Sequence, residues 1–264
     1  MSDLEMSDRV VVDVTASIAT VRLDGPERHN VLDRAGWHAV ARAMNTLSGR
    51  DDVRAVAVRG TGGRAFSAGS DIGAFADQRS RPEDVRSYSD AIAGAMRAIR
   101  GCMHPTIAII EGLCVGGGLE IAACCDLRVC GESSRFGAPI NRLGLTMSHD
   151  ELQPLLELLG AGPVLEILLS GELIDAERAF MMGLVNRVWP DAELIDQGFG
   201  LVARVASGAP LVNRWHKKFV RQLLEGRTLT DQERAEALEA FQTDDYREGR
   251  TAFMEKRDPG FTGS

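Results

Sequence analysis

Glu111-Gly112-Leu113-Cys114-Val115-Gly116-Gly117-Gly118-Leu119-Glu120, read together with Ala65-Phe66-Ser67-Ala68-Gly69-Ser70-Asp71-Ile72 upstream, decides the fold. Each stretch is glycine-rich and leaves backbone N–H groups uncovered by side chains. The first ends in a carboxylate, Glu120, at the start of an apolar helix. Two backbone donors facing a general acid/base are what stabilising the oxyanion of a carbonyl compound requires.

Outward from these loops, β-rich and helical segments alternate. Val10–Val14 and Ile18–Leu23, separated by Thr15-Ala16-Ser17, predict a hairpin. Asp33 predicts the cap of a helix from about Arg34 to Leu47, with Trp37, Val40, Ala41 and Met44 on one face. Val53–Val58 reads as a short strand, and Ser80 with Pro82 opens a helix to about Arg100. Thr106–Ile110 and Leu127–Val129 read as strands on either side of a helix over Gly117–Cys125. The alternation predicts an α/β core with mostly parallel pairing over residues 1–195. Beyond it, residues 196–264 read as a helical region. There Thr230-Asp231-Gln232-Glu233 spells a capping box opening a helix through Phe241.

A net charge of −8 argues against a general nucleic-acid binder, so an anionic ligand needs a local cluster of Lys and Arg. No apolar run approaches a membrane span, and the acidic start Met1-Ser2-Asp3-Leu4-Glu5 does not read as a signal peptide. Cys102, Cys114, Cys124, Cys125 and Cys130 lie in apolar sequence and read as reduced, buried thiols of a cytoplasmic protein. No His or Cys spacing suggests a metal site. Gly60-Thr-Gly62-Gly63-Arg64-Ala65 formally matches a dinucleotide fingerprint, but another loop follows where that motif needs a helix. Ser67 lacks the preceding glycine and following helix of a nucleophile elbow.

Five segments resemble one family in order and spacing. Gly25-Pro26-Glu27-Arg28-His29-Asn30-Val31-Leu32 is similar to its R-P-E-K-R-N-A-L segment, and Ala68-Gly69-Ser70-Asp71-Ile72 to its A-G-x-D-I loop. Gly116-Gly117-Gly118-Leu119-Glu120 with Cys125-Asp126-Leu127-Arg128 resembles G-G-G-x-E…C-D-x-R. Gly183–Val188 resembles G-L-V-x-x-V, and Glu248–Pro259 resembles E-G-x-x-A-F-x-E-K-R-x-P. Together they identify the chain as a member of the enoyl-CoA hydratase/isomerase (crotonase) family.

The resemblance implies a crotonase-like β-β-α superhelix core and a helical C-terminal region that makes subunit contacts and covers the acyl-CoA site. It implies a homotrimer or a dimer of trimers, with coenzyme A as part of the substrate and no permanently bound cofactor. The N–H groups of Ser70 and Gly117 would form the oxyanion hole for a thioester carbonyl, and Glu120 would be an acid/base. His29, Ala68, Asp71, Ile72 and Ile140 would line the substrate, and Arg28, Lys217 and Lys256 would meet its nucleotide end. Bland roles stand beside these: helix packing for Gly116–Gly118, a first-turn acid for Glu120, loop capping for Asp71 and solvated charge for each cation.

The pattern breaks at Ile140, which follows Phe136-Gly137-Ala138-Pro139 where hydratases of the family carry their second glutamate. Ile can neither hold nor protonate a water molecule. Ser148-His149-Asp150-Glu151-Leu152 replaces the family's G-A-G-G-T loop, and Gly73 stands where a Lys is common. His149 could titrate near neutrality; alternatively Asp150 caps a helix and His149 is exposed. Phe75–Arg86 and Thr146–Leu152 are expected to wall the pocket. Three readings remain open: a thioester enzyme with one secure acid/base, a catalytically weak acyl-CoA-binding homologue, and a nicotinamide-dependent dehydrogenase.

Overall fold

The computed structural model describes residues 4–264. The chain opens with β1 (Leu4–Ser7), β2 (Val10–Thr15) and β3 (Ile18–Leu23), the last two forming the expected hairpin. Next come α1 (Arg34–Ser48), β4 (Ala55–Gly60), β5 (Ala65–Ser67), α2 (Phe75–Gln78) and α3 (Pro82–Gly101). Asp33 caps α1 by accepting the Gly36 N–H at 2.8 Å. Then β6 (Thr106–Ile110), β7 (Leu113–Val115), α4 (Gly117–Cys124), β8 (Leu127–Gly131) and β9 (Arg135–Gly137) follow. A 3₁₀ turn at Pro139–Leu143 precedes α5 (His149–Leu159), α6 (Ala161–Ser170), β10 (Ile174–Asp175), α7 (Ala176–Met181) and β11 (Arg187–Trp189). The remainder is helical: α8 (Asp191–Ala206), α9 (Pro210–Leu224), α10 (Asp231–Glu236) and α11 (Asp244–Glu255).

The strands form two sheets. The larger runs β1-β2-β3-β4-β6-β8-β11, antiparallel up to β3 and parallel from there on. The smaller runs β10-β9-β7-β5, with β5, β7 and β9 parallel. The larger sheet is covered on both faces, which is why Ala55–Val58 of β4 and Ile107–Ile110 of β6 read as unbroken apolar runs. Val56, Val58, Ala108 and Ile110 join the core that α1 and α3 bury with Trp37, Met44, Ile92 and Met96. Their neighbours Ala55, Ala57, Ile107 and Ile109 turn to the other face and meet Leu194, Leu201 and Val202 of α8. Among the described residues no helix is long and apolar enough to cross a membrane.

Two expectations need correction. The strand expected at Val53–Val58 is shifted to Ala55–Gly60, because its parallel register with β3 begins at Ile18 opposite Ala55. The Thr230 capping box is present, with Glu233 accepting the Thr230 N–H at 2.8 Å, but its helix stops at Glu236. A separate 3₁₀ turn covers Glu239–Gln242. α10 buries none of its residues, and a helix draws most of its stability from a packed face.

Arg128 ties the end of α4 to the segment leading into β11. Its guanidinium donates to the carbonyls of Leu184 at 2.7 Å and Cys125 at 2.5 Å, at the C-terminal end of α4. Arg128→Met should keep the packing volume but strand these carbonyls, at about 1–3 kcal/mol each. Urea unfolding should show the loss as a lower midpoint.

Candidate active site

Three neighbouring parallel strands bring the quoted loops together. β5, β7 and β9 end side by side, so the segments after them emerge at one edge, where α/β sheets commonly bind ligands. After β5 comes Ala68-Gly69-Ser70, after β7 comes Gly116 and α4, and after β9 comes the turn carrying Ile140. The Gly116 N–H donates to the Gly137 carbonyl at 2.9 Å and extends the pairing into the site.

The three glycines each meet a different constraint. Gly116 has φ +51° and ψ −124°, a conformation side chains oppose. A Cβ on Gly117 would lie 2.7 Å from the Trp37 ring, and one on Gly118 would lie 2.1 Å from the Ser67 carbonyl oxygen. Across the gap, a Cβ on Gly69 would meet the Gly117 nitrogen at 2.4 Å. The two loops therefore touch backbone to backbone. Close packing and donor presentation are the same feature here.

Ser70 pairs with Leu32 in a single parallel bridge. The bridging bonds belong to its neighbours: Leu32 N–H donates to Gly69 O at 2.8 Å, and Asp71 N–H donates to Leu32 O at 2.8 Å. By strand alternation the Ser70 N–H points the other way. Gly117 is the first residue of α4, where an N–H has no partner within the helix. Both residues border a cavity of about 90 Å³.

Glu120 enters the same cavity from the first turn of α4. It is 4% exposed, and its Oε2 is buried without a hydrogen-bond partner. Burial holds the carboxyl well above its ordinary value of 4.5; the Glu151 charge pushes the same way, and the Arg79 guanidinium opposes both. Burial therefore favours the neutral form of the Glu120 carboxyl. Ile72, Phe75, Ile140, Leu143 and Met147 supply apolar walls.

Two polar residues of this cavity lie in the segments Phe75–Arg86 and Thr146–Leu152 expected to wall the pocket, although the family motifs single out neither. Arg79 lies 4.0 Å above the rings of both Phe75 and Tyr88, and its Nε is buried without a partner. Glu151 sits at the third position of α5 and accepts the Ser148 N–H at 2.5 Å. Its signal was legible, since Ser148-His149-Asp150-Glu151 is itself a capping-box sequence. That corrects the expectation for Asp150, because Ser148 is the N-cap. Asp150 and His149 are exposed, and Asp150 approaches Arg97 at 3.8 Å.

The other expected residues divide. Ala68 and Ile72 border the cavity. Asp71 caps its loop by accepting the Gly73 N–H at 2.9 Å, and it is ion-paired with half-exposed Arg28. His29 is exposed, and its backbone carbonyl accepts the Ala68 N–H at 2.9 Å. Lys256 is exposed at the end of α11. Lys217 stands apart. Its ammonium group is 2.6 Å from Asp126 and donates to the His104 carbonyl at 2.9 Å, and the side chain is only 8% exposed. A cation so enclosed is not available to a phosphate in this conformation.

With this geometry in place, the comparisons with known proteins are decisive. The sequence pattern of the family described as enoyl-CoA hydratase/isomerase matches residues 13–264. A crotonyl-CoA hydratase of Syntrophomonas wolfei is 30% identical over 260 residues, covering 96% of this chain and 98% of that protein. A mitochondrial Delta(3,5)-Delta(2,4)-dienoyl-CoA isomerase of Dictyostelium discoideum is 28% identical, covering 92% and 87%. The crystal structure of an enoyl-CoA hydratase/carnithine racemase from Magnetospirillum magneticum superposes with a TM-score of 0.95 at 39% identity, over 98% of this chain and 97% of that one. The chain belongs to the enoyl-CoA hydratase/isomerase family and has the crotonase fold.

The raised Glu120 value makes a stability prediction. Unfolded, the carboxyl ionises near 4.5, whereas burial makes the folded state hold the proton to higher pH. The folded state then binds more protons above that pH, so this group's contribution to stability is lost as pH rises toward its folded value. Glu120→Gln, which cannot ionise, should lose less Tm than the wild type as pH rises above about 5.

Proposed function

We propose that this protein forms a thioester enolate from an acyl-CoA, with the Ser70 and Gly117 N–H groups holding the oxygen and Glu120 as the acid/base. One observation carries the reading: a buried carboxyl oxygen without a partner lies in the same small cavity as the two backbone donors. Such a group is costly to folding unless it is neutral and used. An enolate concentrates charge on oxygen, so two fixed donors favour it over the neutral carbonyl. The positive end of α4 adds to this.

Ile140 favours proton shifts between carbons over hydration, because it cannot orient water. Double-bond isomerisation is the reading preferred here, with decarboxylation to an enolate served by the same donors. Coenzyme A arrives with the substrate. Half-exposed Arg28 and exposed Lys256 are the cations proposed for its phosphates, Lys256 from a neighbouring subunit. A homotrimer or dimer of trimers fits the exposed apolar side chains of the C-terminal helices, Phe253 at 82% and Met254 at 75% exposure. The five buried thiols suit a cytoplasmic setting.

The test is a panel of 2-enoyl-, 3-enoyl- and malonyl-type CoA thioesters followed for hydration, double-bond shift and CO₂ release. A double-bond shift faster than hydration supports the reading, and CoA binding with no turnover would leave the binding homologue. Ile140→Glu should raise 2-enoyl-CoA hydration by about 10–100-fold, short of an optimised geometry. For the oxyanion hole, any side chain at position 117 meets Trp37, so Gly117→Ala is the reference for Gly117→Pro. Proline should cost about 10²–10³-fold more in kcat, because it alone removes the N–H. Equal activities in the two variants would remove the hole assignment.

A further inference from the structure

We propose that Glu151 is the second proton-transferring group of this site, doing what Ile140 cannot. The inference rests on the reading of Glu120 as the acid/base. Two carboxylates, from the first turns of α4 and α5, border one cavity, and the Arg79 guanidinium borders it too. Glu151 is placed by its cap. Oε2 accepts the Ser148 N–H, which fixes the side chain of a residue that borders the cavity. Arg79, held between Phe75 and Tyr88, places a positive charge at the same cavity. Ile140, Leu143 and Met147 keep the surroundings apolar, which suits proton transfer to and from carbon.

The division of labour comes from the charges. The Glu151 carboxylate takes a proton from C2 of a 3-enoyl thioester, and the electron pair moves onto the thioester oxygen held by the Ser70 and Gly117 N–H groups. The oxygen returns that pair, the C2–C3 double bond forms, and C4 takes the proton of the neutral Glu120 carboxyl. The product is the 2-enoyl thioester, with Glu151 protonated and Glu120 ionised. Passing one proton from Glu151 to Glu120 resets the site. No oxidant or co-reactant enters.

The experiment uses the full-length protein with 3-hexenoyl-CoA. Glu151→Gln preserves the cap, since glutamine serves at this position of a capping box as glutamate does. It should therefore keep Tm and KM while kcat falls by about 10²–10⁴-fold and one limb of the pH–rate profile disappears. Glu151→Ala should lose Tm as well. The double variant with Glu120→Gln should be no slower than the slower single variant, because the two groups act as one unit. If Glu120→Gln cripples turnover while Glu151→Gln stays within about twofold of wild type, the enolate reading stands and the Glu151 assignment falls. A loss of kcat in Glu151→Gln that only tracks lost Tm, with an intact pH profile, makes Glu151 structural and also overturns it. If the wild type turns over no thioester, both readings fall together.

Discussion

The contact of Gly69 with Gly117, and of Ser67 with Gly118, is what the site hangs on. A helix can start at the end of β7 beside the β5 loop only if its first residues carry no side chains. Gly118 admits the Ser67 carbonyl, Gly117 admits the Trp37 ring and Gly116 makes the turn. Ser67 is itself held, its hydroxyl donating to the Asn30 carbonyl at 2.8 Å and accepting the Gly69 N–H at 3.0 Å. Once α4 is seated this closely, Glu120 lies one turn in, with nowhere to go but the cavity. Burial there favours its neutral form.

Buried polar groups sort by what they are for. Arg128 spends its N–H groups on carbonyls, and Asp126 accepts from Lys217 and Arg221 as well as from Thr106. These clusters are satisfied and hold α4, β8 and α9 together. The unsatisfied groups gather elsewhere. Among the described residues, buried side-chain polar atoms without a partner include Trp37 Nε1, Arg79 Nε and Glu120 Oε2, all at or against the cavity, while His104 and Arg214 supply the others. Folding tolerates such atoms where a ligand completes them. Lys217 illustrates the contrast: the resemblance assigns it to a phosphate, and the packing assigns it to Asp126.

What was legible in the sequence came from local chemistry. Asp33 and Thr230 announced helix starts because capping is a short-range interaction, and the Val, Ile and Ala runs announced strands because they are buried on both faces. The smaller sheet was hidden, since β5, β7, β9 and β10 are two or three residues long and carry no periodicity to read. That sheet is what unites the loops, so the motifs named Ser70, Gly117 and Glu120 without showing why they meet. Arg79 escaped because its place depends on stacking with Tyr88, nine residues further on and in another helix. Glu151 escaped for a different reason. Its capping role and its place in the cavity come from the same side chain, and only the helix packing of α4 against α5 reveals the second.

Ile140 and Glu151 together define how this site departs from the two-glutamate pattern its motifs resemble. Losing the carboxylate after Pro139 makes that wall apolar and removes the group that would hold water. A carboxylate at the third position of α5 borders the cavity instead, on a different element, and a guanidinium borders it too. A carboxyl pair flanking one reacting carbon suits addition of water, whereas acids carried by different helices around an apolar channel suit removal of a proton at one carbon and delivery at another. Glu120 is common to both arrangements because its position is dictated by the glycine contact. Glu151 has no such anchor in the sheet edge; α5, held by Ser148 and packed on α4, is what brings it to the cavity.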